Sequence, residues 1–501
     1  MSDTQYLIGS VSKSFLSAAV GILVDQGKLQ WLDPIQKYIP EFDPIGDPNI
    51  GQKADLIDAL RHSTGLGVPN LLCLGPRSTL LNDEKDYIKL LNSMPTANHE
   101  GHRFNSWWMY NNYAYSLIAK VVEVASGQKY ADYVKEHILK PLQMHSTTMS
   151  RDDFKDNLAY PYVSPKAGEY VRLQPLPCEE HAPLLAGMGM RSSINDMLTW
   201  SKAVLSAERW EAGKGNGSAL RENPLRQMEK IRQGYWTRPV EDDLQNETAY
   251  CMGWLRVEMP SSMLGYLSCN TETRDDSRMD HVHYILGTRS KHMLTIGHNG
   301  VMRGSTAAVY TFPDTQSAVV VMANGLQCGD ASDYAAQIII QALFNLQPPV
   351  DLLPLVRMEK ELWREWYPTR LAGPWQANRN TTDKERNQQL YTGVYYGFNG
   401  AFSLSIVLNP DSRSSLAVIF NQHPASICNL QFYKKDTYSF FPSSYEDYML
   451  IMFPLWSDYR VTLLEFYLDE SESEVVSLRW LWNDDEEPAI LLKDRSARLP
   501  N

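Results

Sequence analysis

Apolar positions fall into two regimes along the chain. Up to about residue 346 they recur mainly at helical spacing. In SVSKSFLSAAVGILVDQGKL, Phe15, Leu16, Ala19, Ile22 and Leu23 share one helical face, and Gly27 supplies a stop. YSLIAKVVEVASGQ predicts a second helix from about Tyr115 to Ser126, closed by Gly127. DLIDALRHSTGL reads as a short helix running into a turn, and Ser193 caps an amphipathic helix over 192–205. The polar, glycine-rich 207–222 and the acidic 239–248 read as loops. Three β-branched runs, MLTIGHNG, TAAVYTFPD and SAVVVMAN, predict an antiparallel meander, and the helix YAAQIIIQALFNL follows.

Pro348-Pro349 marks the best boundary, and VDLLPLVRMEKELWREWY beyond it reads as a connecting helix. From about 388 the pattern alternates: YTGVYYG, FSLSIVLN, SLAVIFN, DYMLIMFP, VTLLEFYLD, VVSLRWLW and AILLKD. Seven or eight short strands with turn residues between them predict a small β-barrel or sandwich. The expected organisation is residues 1–346, a linker with a helix over 347–385, and a β-domain over 386–501.

Composition narrows the function. The 501 residues are 43 % hydrophobic and 21 % charged, which suits a packed globular chain. Lys plus Arg is 47 against 59 Asp plus Glu, a net charge of −12, with no dense cationic run. Nucleic acid and anionic membranes are therefore not expected partners. MSDTQYLIGS lacks the basic and apolar regions of a signal peptide, and no membrane span is legible. Six scattered cysteines without C-x-x-C favour free thiols, so the expected location is cytoplasmic.

Three short motifs carry candidate chemistry. Ser10-Val11-Ser12-Lys13 puts a hydroxyl and an amine on one face of a helix start. Serine needs an adjacent base to attack, and a lysine with a depressed pKa can supply one. Tyr110-Asn111-Asn112 stands just before the second helix, and a tyrosine near a Ser–Lys pair can shuttle a proton. His298-Asn299-Gly300 ends a strand where glycine permits close approach. Singly, each is as well explained by a cap, a packed aromatic or a turn. Asp280-His281-Val282-His283 has H-x-H spacing but no third ligand, so no metal or cofactor is expected.

Taken in order, the three motifs resemble the serine β-lactamase and penicillin-binding-protein superfamily, in the branch of class C β-lactamases, esterases and D-aminopeptidases. IGSVSKSF, DALRHSTGL, YNNYAYSLIAKVVEVASGQKYADYVKEHILKPLQMHSTTM, AGMGMRSSINDMLTW and YCMGW extend the likeness over about residues 1–345. It implies an α+β, β-lactamase/transpeptidase-like domain, an antiparallel sheet flanked by helices, with a small barrel or lipocalin-like domain appended. By the same resemblance Ser10 would be the acylated nucleophile, Lys13 its base and Tyr110 the proton shuttle. Asn112 would bind the substrate carbonyl or amide. His298 and Gly300 would line the site, with His298 in place of the family's third-motif cation. The backbone N–H groups of Ser10 and Val301 would form the oxyanion hole.

The third motif is His-Asn-Gly where β-lactam hydrolases carry Lys-Thr-Gly. An esterase, amidase or acyltransferase acting on a small-molecule or peptide substrate is therefore expected, with a catalytically inactive scaffold or binding protein as the alternative. MSDTQYLIGSVSK also falls inside a family pattern already under way. The expectation is a sheet lacking its first two strands, whose open edge the tail or a partner chain would cover, with the oligomeric state open.

Overall fold

Residues 293–323 form the expected meander, but inside a larger sheet. The computed structural model describes residues 2–95, 104–150, 157–166, 169–176, 184–214, 223–238, 246–271, 284–325, 329–409, 412–451, 458–484 and 486–496. Strands β1 (Trp236–Thr237), β2 (Thr248–Tyr250), β3 (Leu255–Met259), β4 (Met293–Met302), β5 (Ser305–Phe312) and β6 (Ser317–Ala323) pair in that order, all antiparallel. Beyond the three strands read from the sequence, β1–β3 extend the meander to six. Runs of two, three and five residues carry little alternation to read. Among the described residues β6 pairs with β5 alone, so it ends the sheet.

Both faces of the sheet are covered, which is why all eight residues of β5 are buried. Ala307 and Val309 join the core of the helical side, while Ala308, Tyr310 and Phe312 pack with Ala336 and Ile340 on the other. The helices that position the site are α1 (Lys13–Asp25), α2 (Leu56–Leu60), α3 (Asn112–Ser126), α4 (Ile194–Glu211) and α5 (Ala331–Phe344). Helix α1 is buried from Lys13 through Leu23, as an almost wholly apolar helix must be, and Phe15 stacks on Trp200 of α4 at 4.0 Å. Helix α4 begins as predicted, with the Ser193 side chain accepting from Asp196 N. It runs past the expected stop at 205 to Glu211, because Ala203, Val204 and Ala207 continue its buried stripe.

After α6 (Leu353–Trp366), the tail closes an eight-stranded antiparallel barrel. Its strands are β7 (Gly393–Gly397), β8 (Phe402–Asn409), β9 (Ser412–Phe420), β10 (Cys428–Lys434), β11 (Thr437–Ser439), β12 (Leu463–Leu468), β13 (Val475–Trp480) and β14 (Ala489–Asp494). Pairing of β7 with β14 seals it, and Tyr395, Leu404, Ile406, Val418, Phe466, Leu478 and Trp480 are buried. The strand expected at DYMLIMFP is instead a helix, α7 (Tyr445–Ile451). Glu446 and Asp447 favour its N-terminal turn, Ser444 Oγ accepts from Asp447 N at 3.0 Å, and Tyr445 and Tyr448 both pack on Tyr367. Strands β10 and β11 take the place that reading gave to it.

The barrel rests against the first part of the chain. Arg77 donates to Ala425 O (3.2 Å) and Ile427 O (2.9 Å), Asn483 to Val68 O (3.2 Å), and Arg303 to Met449 O and Leu450 O at the end of α7. Cys73, Cys251, Cys269 and Cys428 are free and buried. The 281–283 His pair, residues 215–222, most of the acidic 239–248, Cys178 and Cys328 lie outside the described residues. Among the described residues no helix is long and apolar enough to cross a membrane, and no group of three His, Cys, Asp or Glu side chains could hold a metal.

Candidate active site

A 3-10 turn over Gly9–Ser12 leads directly into α1, so Ser10 sits one turn before its first residue, Lys13. Two glycines let this turn press against the third motif. Gly9 has φ +53°, and a Cβ there would lie 2.9 Å from Val301 N; a Cβ on Gly300 would lie 1.9 Å from Ile8 O. Contact this close runs the Ser10 and Val301 backbones side by side.

Lys13 is fully buried. Its Nζ lies 3.2 Å from Ser10 Oγ, 2.5 Å from Asn112 Oδ1 and 2.8 Å from Gly187 O. None of these partners is a carboxylate, and burial pushes the amine well below the usual lysine range. The three partners suit a neutral amine. Two only accept, matching its two N–H groups, and the third is a hydroxyl able to donate to its lone pair.

Tyr110 shares a hydrogen bond with the Ser10 side chain, and Lys13 Nζ is 4.7 Å from its ring centroid. Burial raises the phenol above its ordinary value, so it keeps its proton at neutral pH. Asn112 opens α3, and Asn111 caps it by accepting from Tyr113 N (2.8 Å) and Ala114 N (3.1 Å). Asn112 Oδ1 is taken by Lys13, so this side chain holds the amine as placed.

His298 lines the site in the place of the family's third-motif cation. It is 1 % exposed, and burial together with the nearby Lys13 lowers it to about 3. Its Nδ1 lies 2.5 Å from Asn299 O and its Nε2 3.2 Å from Tyr250 OH. The structure thus brings together Ser10, Lys13, Tyr110 and Asn112, with His298, Gly300 and Val301 along the adjoining strand.

Three neighbours had no assigned role in the sequence. The Gly187 carbonyl is backbone and leaves no side-chain signal. His62 and Tyr250 stand in the quoted DALRHSTGL and YCMGW, where their spacing alone gives no function. His62 is buried, 4.4 Å from the Tyr110 ring and 4.8 Å from that of Tyr250.

The Beta-lactamase family profile matches residues 2–344, and the chain belongs to that family of serine hydrolases. Two relatives are the Unguisins hydrolase ungD' of Aspergillus campestris and the D-alanyl-D-alanine-carboxypeptidase/endopeptidase AmpH of Escherichia coli. The first is 21 % identical over 375 residues, 73 % of this chain and 59 % of that protein. The second is 24 % identical over 258 residues, 50 % of this chain and 61 % of the relative. The chain thus spans about three-fifths of the length of either. Among solved structures, the octameric penicillin-binding protein homologue from Pyrococcus abyssi is similar with a TM-score of 0.52 and 18 % identity. That likeness, in fold alone, covers 97 % of this chain and 88 % of the other.

Proposed function

We propose that this chain is a serine hydrolase or acyltransferase working through an acyl-Ser10 intermediate on an ester, thioester or amide of a small molecule or peptide. The observation that carries the reading is a fully buried Lys13, without a carboxylate partner among the described residues, 3.2 Å from Ser10 Oγ. As Oγ bonds to the acyl carbon, the Ser10 proton passes to the lone pair of Lys13. The carbonyl oxygen takes the negative charge between the N–H groups of Ser10 and Val301. Collapse breaks the bond to the leaving alcohol, thiol or amine, and Tyr110 hands that group its proton and recovers one from Lys13. Water, or an acceptor alcohol or amine, then releases the acyl group by the reverse path. Neutral His298 presents no counter-charge for a carboxylate, which favours an esterase or amidase over a β-lactam hydrolase.

A fluorophosphonate probe with peptide mapping tests this. The full chain should label once, at Ser10, and Ser10→Ala should not label at all. Lys13→Ala and Tyr110→Phe should each slow labelling about 10²–10⁴-fold, the range for a lost acid or base. The double variant should lose little more than the worse single, because the three groups act as a unit. An unlabelled native chain would support the inactive scaffold instead.

A further inference from the structure

His62 is held as few histidines are. Its φ is +66°, in the left-handed region costly for a residue with a Cβ, and it is 1 % exposed. Its backbone carbonyl accepts from Met109 N at 2.9 Å and its Nδ1 from Asn111 N at 3.0 Å. The two residues flanking Tyr110 therefore hang on the one histidine, whose ring also faces that of Tyr110. From the other side of this imidazole, Nε2 meets Tyr250 OH at 3.1 Å, and the same hydroxyl meets His298 Nε2 at 3.2 Å.

The protons can be assigned by elimination. Asn111 N–H only donates, so His62 Nδ1 is bare and its proton sits on Nε2, directed at the Tyr250 oxygen. Asn299 O only accepts, so His298 Nδ1 carries the proton and its Nε2 is bare, free to accept from Tyr250. The Tyr250 hydroxyl thus accepts from His62 and donates towards His298. Tyr115 also shares a hydrogen bond with Tyr250; its own proton goes to Leu60 O at 2.5 Å, so it meets Tyr250 only as a further acceptor and leaves the His62 link to Tyr250 untouched.

We propose that Tyr250 is a positioning residue: its hydroxyl bridges His62 and His298, fixes their tautomers, and through His62 holds Tyr110 against Ser10. The bridge joins the turn after α2, the segment before α3, and strands β2 and β4. It turns both nitrogens of His298 inward and leaves neither for substrate. The inference rests on the proposed role of Tyr110.

The test uses the full chain and the rate of Ser10 acylation by the fluorophosphonate probe. Tyr250→Phe removes only the hydroxyl and should slow acylation at saturating probe at least tenfold, while the half-saturating concentration moves less than twofold. In ¹⁵N spectra of histidine-labelled protein, the His298 signals should leave the single Nδ1–H pattern. In a Tyr110→Phe background the same substitution should cost less than twofold, because the hydroxyl it positions is gone. His62→Asn offers a second route: asparagine tolerates positive φ, and its Oδ1 can replace Nδ1 as acceptor for Asn111 N–H while losing the link to Tyr250. It should match Tyr250→Phe, and combining the two should add little. Native acylation in Tyr250→Phe and His62→Asn, or equal losses with and without Tyr110, overturns the bridge alone. Undiminished acylation in Tyr110→Phe overturns the reading of the site and the bridge's role with it.

Discussion

Burial of His298 should make the fold acid-sensitive by an amount that can be calculated. The ring has an ordinary value of 6.5 and is lowered to about 3 in the native protein. Between these values the unfolded chain binds a proton that the folded chain refuses, so stability falls with falling pH. The contribution is fully present above pH 6.5, declines below it, and levels off near pH 3. At about 1.4 kcal/mol per pH unit the gap caps the loss at about 5 kcal/mol. By pH 5 the loss from this ring alone should be about 2 kcal/mol. His298→Gln removes the titrating group. His62, also pushed down by burial, titrates in both proteins and largely cancels in the difference. Urea unfolding followed by fluorescence of the buried Trp200 and Trp254 gives the stability of each protein at pH 8 and pH 5. The native chain should lose about 2 kcal/mol more than the variant over that interval. Parallel losses would mean that His298 protonates freely in the folded state, and the neutral wall inferred for the site would be wrong.

Two further outcomes follow from the same geometry. Lys13 is depressed below 10.5, so between its lowered value and 10.5 the unfolded chain holds the extra proton and native stability rises with pH; the stability of the native chain minus that of Lys13→Met should therefore grow from pH 7 to pH 9.5, and a flat difference would refute a neutral buried amine. Gly300→Ala drives a methyl to 1.9 Å from Ile8 O, which must displace the backbone behind Ser10; it should abolish labelling and cost about 1–3 kcal/mol in a thermal or urea melt, whereas Gly27→Ala, with φ +70° and nothing within 4 Å, should cost about 1–2 kcal/mol of strain and leave labelling intact.

Legibility in the sequence tracked how local each feature is. Helices α1 and α3 were readable because Phe15, Leu16, Ile22 and Leu23, or Gly127 at φ +74°, act within one turn of themselves. The tail was readable as a barrel or sandwich because alternation survives in most of its strands, and closure of β7 on β14 decides for the barrel. Alternation failed over 445–451, where Tyr445, Tyr448 and Met449 also fit helical spacing and a tertiary contact with Tyr367 decides between the two. The motif order gave Ser10, Lys13, Tyr110, Asn112 and His298, but it could not give their charge. That Lys13 meets Gly187 O, or that Tyr250 lies between two histidines 188 and 48 residues away, depends on chain crossings that no local pattern encodes.

Charge is where sequence and structure part most sharply, and its origin is desolvation. Lys13, His62 and His298 are three basic side chains in one buried region; burial lowers all three, Lys13 lowers both histidines further, and His298 lowers His62. Their described hydrogen-bond partners are hydroxyls, amides and carbonyls. Cations this close and this deeply buried, with no carboxylate among those described partners, repel one another strongly. The cheapest arrangement leaves all three neutral. On the proposed mechanism a neutral Lys13 is then the base for the Ser10 proton, and a neutral His298 is a wall with no pull on an anion. A lysine in place of His298 would bring back a charge to bind carboxylates, but that same charge would push Lys13 lower still. On the proposed reading, a neutral His298 adds no charge beside Lys13 and offers none to a carboxylate.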